Sequence, residues 1–158
     1  MARWANDGMI RIVRAPACAN IAAPTVAEWA AGTHITNFIT KDGLTVPTNQ
    51  NYVDNSSLAE TFDAQVVGSF GGPISLTGIR DNATDTLWDL IVYGLGGFLF
   101  VRRGILTATA VASSQKCEVF PVMWHEPVPT QTASNEQGRF PAAAAVTSQP
   151  NFKAVIAP

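Results

Sequence analysis

Residues 60–104 constrain the fold of this chain more than any other stretch. Between Phe62 and Phe70 every second position is apolar or small (Phe62, Ala64, Val66, Gly68, Phe70), with Thr61, Asp63, Gln65 and Ser69 between them. That period of two predicts a strand with one buried face. A Gly71-Gly72-Pro73 turn leads to Ile74 and Leu76, which continue the alternation as the second strand of a hairpin. Gly78 then marks a bulge or a close backbone approach. A helix is expected over residues 84–95, with Leu87, Leu90, Ile91 and Leu95 on one side and Asp85 and Asp89 on another. Asp81 or Thr84 supplies its cap, and Asp85 lies in the first turn, where the helix dipole favours a carboxylate. Gly94, Gly96 and Gly97 end it. Residues 98–101 are apolar on both faces, so the strand they form is covered from both sides.

The flanking segments add strands. Residues 9–14 alternate and follow an Asp7-Gly8 turn. Thr25 and Glu28 have the spacing of a capping box and open a short helix through Trp29 that Gly32 ends. Residues 35–40 are a second strand candidate. Residues 41–58 hold Asp-Gly, a proline and four asparagines without sustained periodicity, and predict a long irregular loop. Its Leu44, Val46, Tyr52, Val53 and Leu58 need a cover, so the segment reads as a docking arm. Residues 106–115 read as a turn or a mobile excursion, and residues 117–125 as a strand in which Pro121 suggests an edge or a bulge. Residues 126–138 are a second loop. Residues 139–147 divide between helix (the alanine run) and strand (Phe140, Val146 and flanking prolines), and strand is chosen. Residues 150–158 supply a last strand. The expectation is six to eight strands, one principal helix and one domain over all 158 residues.

Composition bears on what surrounds the domain. Only 14% of residues are charged, against about 25% in typical soluble domains, while 47% are hydrophobic. Either much neutral surface is buried against other copies, or a monomer covers itself with Ser, Thr, Asn and Gln. A net charge of −2 gives no reason to expect a nucleic-acid-binding surface, and Arg102-Arg103 is too short for one. The N-terminus lacks the apolar core of a secretory signal. The longest apolar run, residues 90–101, falls short of the ~20 residues that a spanning helix needs. Cys18 and Cys117 make neither a disulfide framework nor a zinc site, and free thiols in a cytoplasmic product are expected.

Candidate chemistry is sparse. His125-Glu126 lacks the second histidine of a zincin helix, and His34 stands alone. Cys18 or Cys117 beside a histidine would make a thiol pair, but Cys117 lies in an apolar strand, where small buried cysteines are common. Asp81, Asp85 and Asp89 recur at helical spacing and are read as a cap, a dipole partner and a solvated face rather than as ligands for a divalent cation. The pairs Gly71-Gly72 and Gly96-Gly97 match no phosphate-binding loop. No catalytic residue, metal site or cofactor is assigned.

Three segments, residues 39–55, 61–72 and 80–104, together with the terminal Gln149-Pro150-Asn151-Phe152-Lys153-Ala154-Val155, make the chain resemble the tail tube (major tail) proteins of long-tailed bacteriophages of actinobacteria. The resemblance covers nearly the whole chain from Ile39 onward. It implies a mainly β fold, a β-sandwich or barrel-like domain with one flanking α-helix (84–95), a long inter-ring loop (41–58) and a C-terminal arm (148–158). It implies a non-enzymatic virion protein whose hexameric rings stack into a hollow tube. The tube forms in the host cytoplasm around a tape measure protein, meets a tail terminator and distal tail or baseplate proteins, and delivers DNA without reading its sequence. Carried onto this chain, the loop contacts are Asp42, Gly43, Leu44, Tyr52, Val53 and Asp54. An inner barrel is expected from residues 60–80 with 117–125, and Glu60, Asp63, Gln65 and Glu118 are candidates to face a negative lumen. The competing readings are a tail terminator or neck ring protein, a contractile-system inner tube, and a monomeric β-sandwich that stacks a ligand on Trp29, Trp124, Tyr52 or Tyr93.

Overall fold

Two hydrophobic cores, one on each face of the same pair of strands, organise the chain. The computed structural model describes residues 7–46, 49–57, 59, 61–130 and 133–158. Among them are ten strands: β1 (Ile10–Ala15), β2 (Thr33–His34), β3 (Ile39–Thr45), β4 (Asn49–Asp54), β5 (Gln65–Gly71), β6 (Ile74–Ile79), β7 (Gly96–Arg103), β8 (Lys116–Trp124), β9 (Arg139–Val146) and β10 (Asn151–Val155). Two short helices, α1 (Val26–Ala31) and α2 (Thr86–Leu90), complete the inventory with a 3-10 turn at Thr36–Phe38. Eight strands form one antiparallel sheet in the order β2-β1-β7-β8-β9-β6-β3, with β10 also on β8, and β4 and β5 pair separately. The mainly β, sandwich-like class expected from the sequence is the one observed, with more strands than the six to eight anticipated.

Successive residues of β7 point to opposite faces. Leu99 and Val101 enter the first core, with Ile12, Phe120, Val122, Trp124, Ile74, Leu76, Phe140 and Leu87 of α2. Phe100 enters the second, with Val13, Cys117, Val119, Ala154, Ile156 and Trp29 of α1. The Trp29 and Phe100 rings lie 5.1 Å apart. The strand expected to be covered on both sides is covered on both sides.

The first helix starts where its sequence directs. The Thr25 side chain accepts from the Glu28 N–H, and the Glu28 carboxylate accepts from the Thr25 N–H at 2.7 Å and the Ala19 N–H at 2.6 Å. Partial burial pushes the Glu28 carboxyl up, but those amides and the Thr25 hydroxyl outweigh it and hold it below its ordinary value.

Five expectations are corrected. The helix expected over 84–95 is confined to Thr86–Leu90. Gly94, at φ +73°, a conformation that L side chains rarely adopt, turns its N–H to the Trp124 carbonyl at 2.9 Å, and the Trp124 N–H returns to the Leu95 carbonyl at 3.1 Å. Sheet pairing thus takes the chain away from the helix. Asp85 stands at the N-cap without a capping bond and instead pairs with Arg80, whose guanidinium lies 3.9 Å from the Trp88 ring centroid. Asp81 accepts from the Ala83 N–H.

Residues 41–58 are not irregular, since β3 and β4 fill most of them. Nor do β5 and β6 form a hairpin across Gly71-Gly72-Pro73: β5 pairs with β4, and β6 pairs with β3 and β9. Residues 72–73 bend the chain without reversing it. The strand candidate at 35–40 resolves into the 3-10 turn followed by the start of β3.

Pro121 lies in a central strand rather than at an edge or a bulge. β8 serves two partners on one side, β10 at Lys116–Val119 and β9 at Val122–Trp124. Pro121 falls between them, where a strand N–H has no assigned acceptor, and its carbonyl takes the Thr147 N–H at 3.0 Å. Residues 139–147 form a strand, as chosen. Gly78 is a close approach: a Cβ there would stand 2.4 Å from the Phe140 ring.

Candidate functional site: a ribbon without a partner

The strands β4 and β5 leave the main sheet as a two-stranded ribbon, in line with β3 and β6. Their register shifts between Gln50 and Tyr52, so a bulge interrupts the alternation of β5. Tyr52, Val53, Val66, Val67 and Phe70 are all exposed, and Phe62, in the bend before β5, is 79% exposed. The single alternating face predicted for residues 62–70 is not formed: β5 starts only at Gln65, and its shifted register sets Val67 and Phe70 opposite Tyr52 and Gln50 while Val66 lies opposite Val53 on the other face. At the root of the ribbon, Phe70 meets Phe152 of β10 with ring centroids 6.4 Å apart.

The structure separates the residues assigned to inter-ring contact. Tyr52, Val53 and Asp54 are exposed on the ribbon. Asp42 is exposed on β3, whereas Gly43 is buried and Leu44 packs against the first core. Asp54 accepts from the Ser56 hydroxyl at 2.5 Å and the Ser56 N–H at 2.9 Å, and these bonds hold its carboxyl below its ordinary value.

The lumen candidates are likewise split. Asp63 is exposed just before β5, and Gln65 pairs with Asp54 in the ribbon register. Glu118 is half-buried on β8 and bound to Arg103 at 3.0 Å. Glu60 lies outside the described residues. The inner wall expected from residues 60–80 with 117–125 is not contiguous in this structure, because β9 separates β6 from β8 and β5 stands off the sheet.

Other candidates resolve into packing. Trp29 and Trp124 are buried and offer no stacking platform, whereas Tyr52 and Tyr93 are exposed. Burial pushes the Cys117 thiol up to about 12, so it is no thiolate nucleophile at neutral pH. Burial also raises Cys18, with Glu28 adding to the effect. Among the described residues, no group of three His, Cys, Asp or Glu side chains converges to hold a metal ion, and no helix is long and apolar enough to cross a membrane.

Sequence reasoning missed a cationic cluster beneath residues 104–115. Arg102 is fully buried. Its guanidinium donates to the carbonyls of Leu106, Thr109 and Ala110 and to the Gln115 side chain at 2.8–3.1 Å. Arg11 donates to the Thr107 and Thr109 carbonyls. The signal was weak: an arginine ending an apolar strand is ordinarily taken as its exposed end.

His34 lies beside this cluster with its Nε2 buried and unpartnered. Burial, then Arg11 and Arg102, hold its pKa below 6.5. The unfolded chain therefore takes up a proton that the folded chain resists. The His34 contribution to stability is complete above about pH 6.5 and is lost as pH falls below it. In urea melts, wild type will lose stability between pH 7 and 5, and His34→Gln will lose less. Equal losses would remove His34 as the source.

A body with two filled cores and an apolar ribbon that none of the described residues covers is built as a component of an assembly. Over residues 1–158 the chain matches the family model described as phage tail tube protein, and it belongs to that family. No curated protein matches it. Its role is accordingly structural: it assembles with itself into a tail tube and is a component of the virion tail.

Proposed function

We propose that the chain closes into hexameric rings that stack into a hollow tube in a long-tailed phage of an actinobacterium, and that the ribbon makes the contact between rings. The unpartnered apolar ribbon carries this reading. It presents open strand edges and exposed apolar side chains on an element with few ties to its own subunit, the features by which one chain completes the sheet or core of another. In this reading the tube grows in the host cytoplasm around a tape measure protein, ends at terminator and distal tail or baseplate proteins, and passes the genome without sequence-specific contacts. The ribbon residues Tyr52, Val53 and Asp54 form the contact, and Asp42, exposed on β3, is a further candidate for the surface between rings. Asp63 and Gln65 are the accessible lumen-facing candidates, while Glu118 contributes less charge because Arg103 neutralises it.

Negative-stain electron microscopy of the full chain across a concentration series tests the assembly. Hollow tubes of uniform width are expected. Single closed rings at every concentration would instead support a terminator or neck role, and monomers alone would count against the tube. Asp63→Lys tests the lumen: tubes should form normally while genome delivery slows, because a cation facing the channel retains phosphate. Unimpaired infection by phage carrying it would remove Asp63 from the lumen.

A further inference from the structure

The ribbon carries an exposed aromatic knob at its tip and an aromatic-walled socket at its root. The knob is Phe62, the most exposed of the large apolar side chains among the described residues. The socket opens where β5 parts from the line of β9 and β10. It is a wedge of about 420 Å³ lined in part by Phe70, Phe120, Val146, Pro150 and Phe152. Phe120 meets Phe152 edge-on at 5.4 Å and anchors one wall in the first core. An apolar cavity of roughly 150 Å³ suffices to hold benzene, so a phenyl ring and its flanking backbone have room. Beside the wedge, the Lys153 N–H is taken by the side chain of Asn151, and β10 pairs with no strand but β8 among the described residues.

In this structure a subunit does not fill its own wedge with its own knob: Phe62 is 79% exposed and is not among the residues that line the wedge. A chain that assembles with itself supplies the knob of another copy at every interface.

We propose that Phe62 of one copy seats in the Phe70–Phe120–Phe152 wedge of the next copy along the tube. Because knob and socket lie on different patches, each contact leaves one knob and one socket free, so the contact is head-to-tail and propagates. The ribbon length then sets the spacing of successive copies. This rests on the tube reading above and specifies the receiving surface for that contact.

The test uses full-length chain with Phe62→Ser, and in parallel a chain carrying the photocrosslinker p-benzoylphenylalanine at position 62. Phe62 is exposed, so thermal unfolding of either chain should match wild type. Phe62→Ser should raise the threshold concentration for tubes about tenfold or more, as expected for loss of an aromatic anchor. Irradiated tubes of the second chain should give an intermolecular crosslink from tryptic peptide 42–80 to peptide 117–139 or 140–153, which carry Phe120 and Phe152, and this crosslink should be absent from monomers. Phe62→Ser tubes at the wild-type threshold, or crosslinks that map to neither of those two peptides, would overturn the knob and socket while leaving the tube intact. Absence of tubes from wild type itself would instead overturn the tube reading, and this contact with it.

Discussion

Excising residues 47–73 and joining Val46 to Ile74 through an inserted Asn-Gly pair will leave a folded protein that no longer forms tubes. The register dictates the join. Leu44 faces Leu76 and Thr45 faces Ser75, so Val46 and Ile74 are the next opposed positions and suit a two-residue turn. The described body loses the Phe70–Phe152 contact and little else, so the cost is about 1 kcal/mol, or roughly 2–4 °C in midpoint for a chain of this size. Assembly loses all of the exposed apolar surface of the ribbon. A threshold for tube growth at least roughly 100-fold higher, equivalent to about 2.7 kcal/mol, is expected. Calorimetry checks the fold, and light scattering with electron microscopy checks the assembly. Tubes of wild-type length at wild-type concentration would show that the body polymerises without its ribbon.

Arg102→Leu will be among the most destabilising single substitutions. Leucine fits an apolar site, yet the carbonyls of Leu106, Thr109 and Ala110 converge on the guanidinium and would lose their donor in a buried place. Leaving several buried acceptors unsatisfied costs about 3–5 kcal/mol, enough to lower the midpoint by roughly 10 °C. Arg102→Lys will recover only part of this, because one compact ammonium cannot serve acceptors set around a planar fork. The measurement is the thermal midpoint, with proteolysis reporting on residues 104–115. A Leu variant within 1 kcal/mol of wild type would mean that those carbonyls find other donors.

These two residue sets differ in how far local sequence could have pointed to them. The ribbon was visible as chemistry but not as geometry. Val66 and Val67 are adjacent, so both faces of β5 are apolar, a sign that something covers both. The alternation from Phe62 to Phe70 indicates that an apolar face is buried, and is silent on which molecule buries it. Residues 41–58 lacked periodicity because β4 has no core beneath it to select apolar residues at alternate positions. The Arg102 cage was invisible, since its acceptors are backbone carbonyls and every residue type carries one.

Local chemistry alone determined several elements of this protein. The Thr25–Glu28 capping box starts α1 because its bonds close within one turn, and the apolar run at residues 98–101 made β7 doubly covered wherever it was placed. Tertiary structure alone decided the rest. Over residues 139–147 the local pattern left helix and strand both open, and pairing with β6 and β8 decided for strand. Trp124, distant in sequence, claims the Gly94 N–H and stops α2 after Leu90. The change of partner along β8 accommodates Pro121 in a central strand. The ribbon leaves the sheet near the point where β9 gives way to β10. Each of these outcomes depends on which backbone groups meet across long sequence separations, and no pattern within a single segment encodes that.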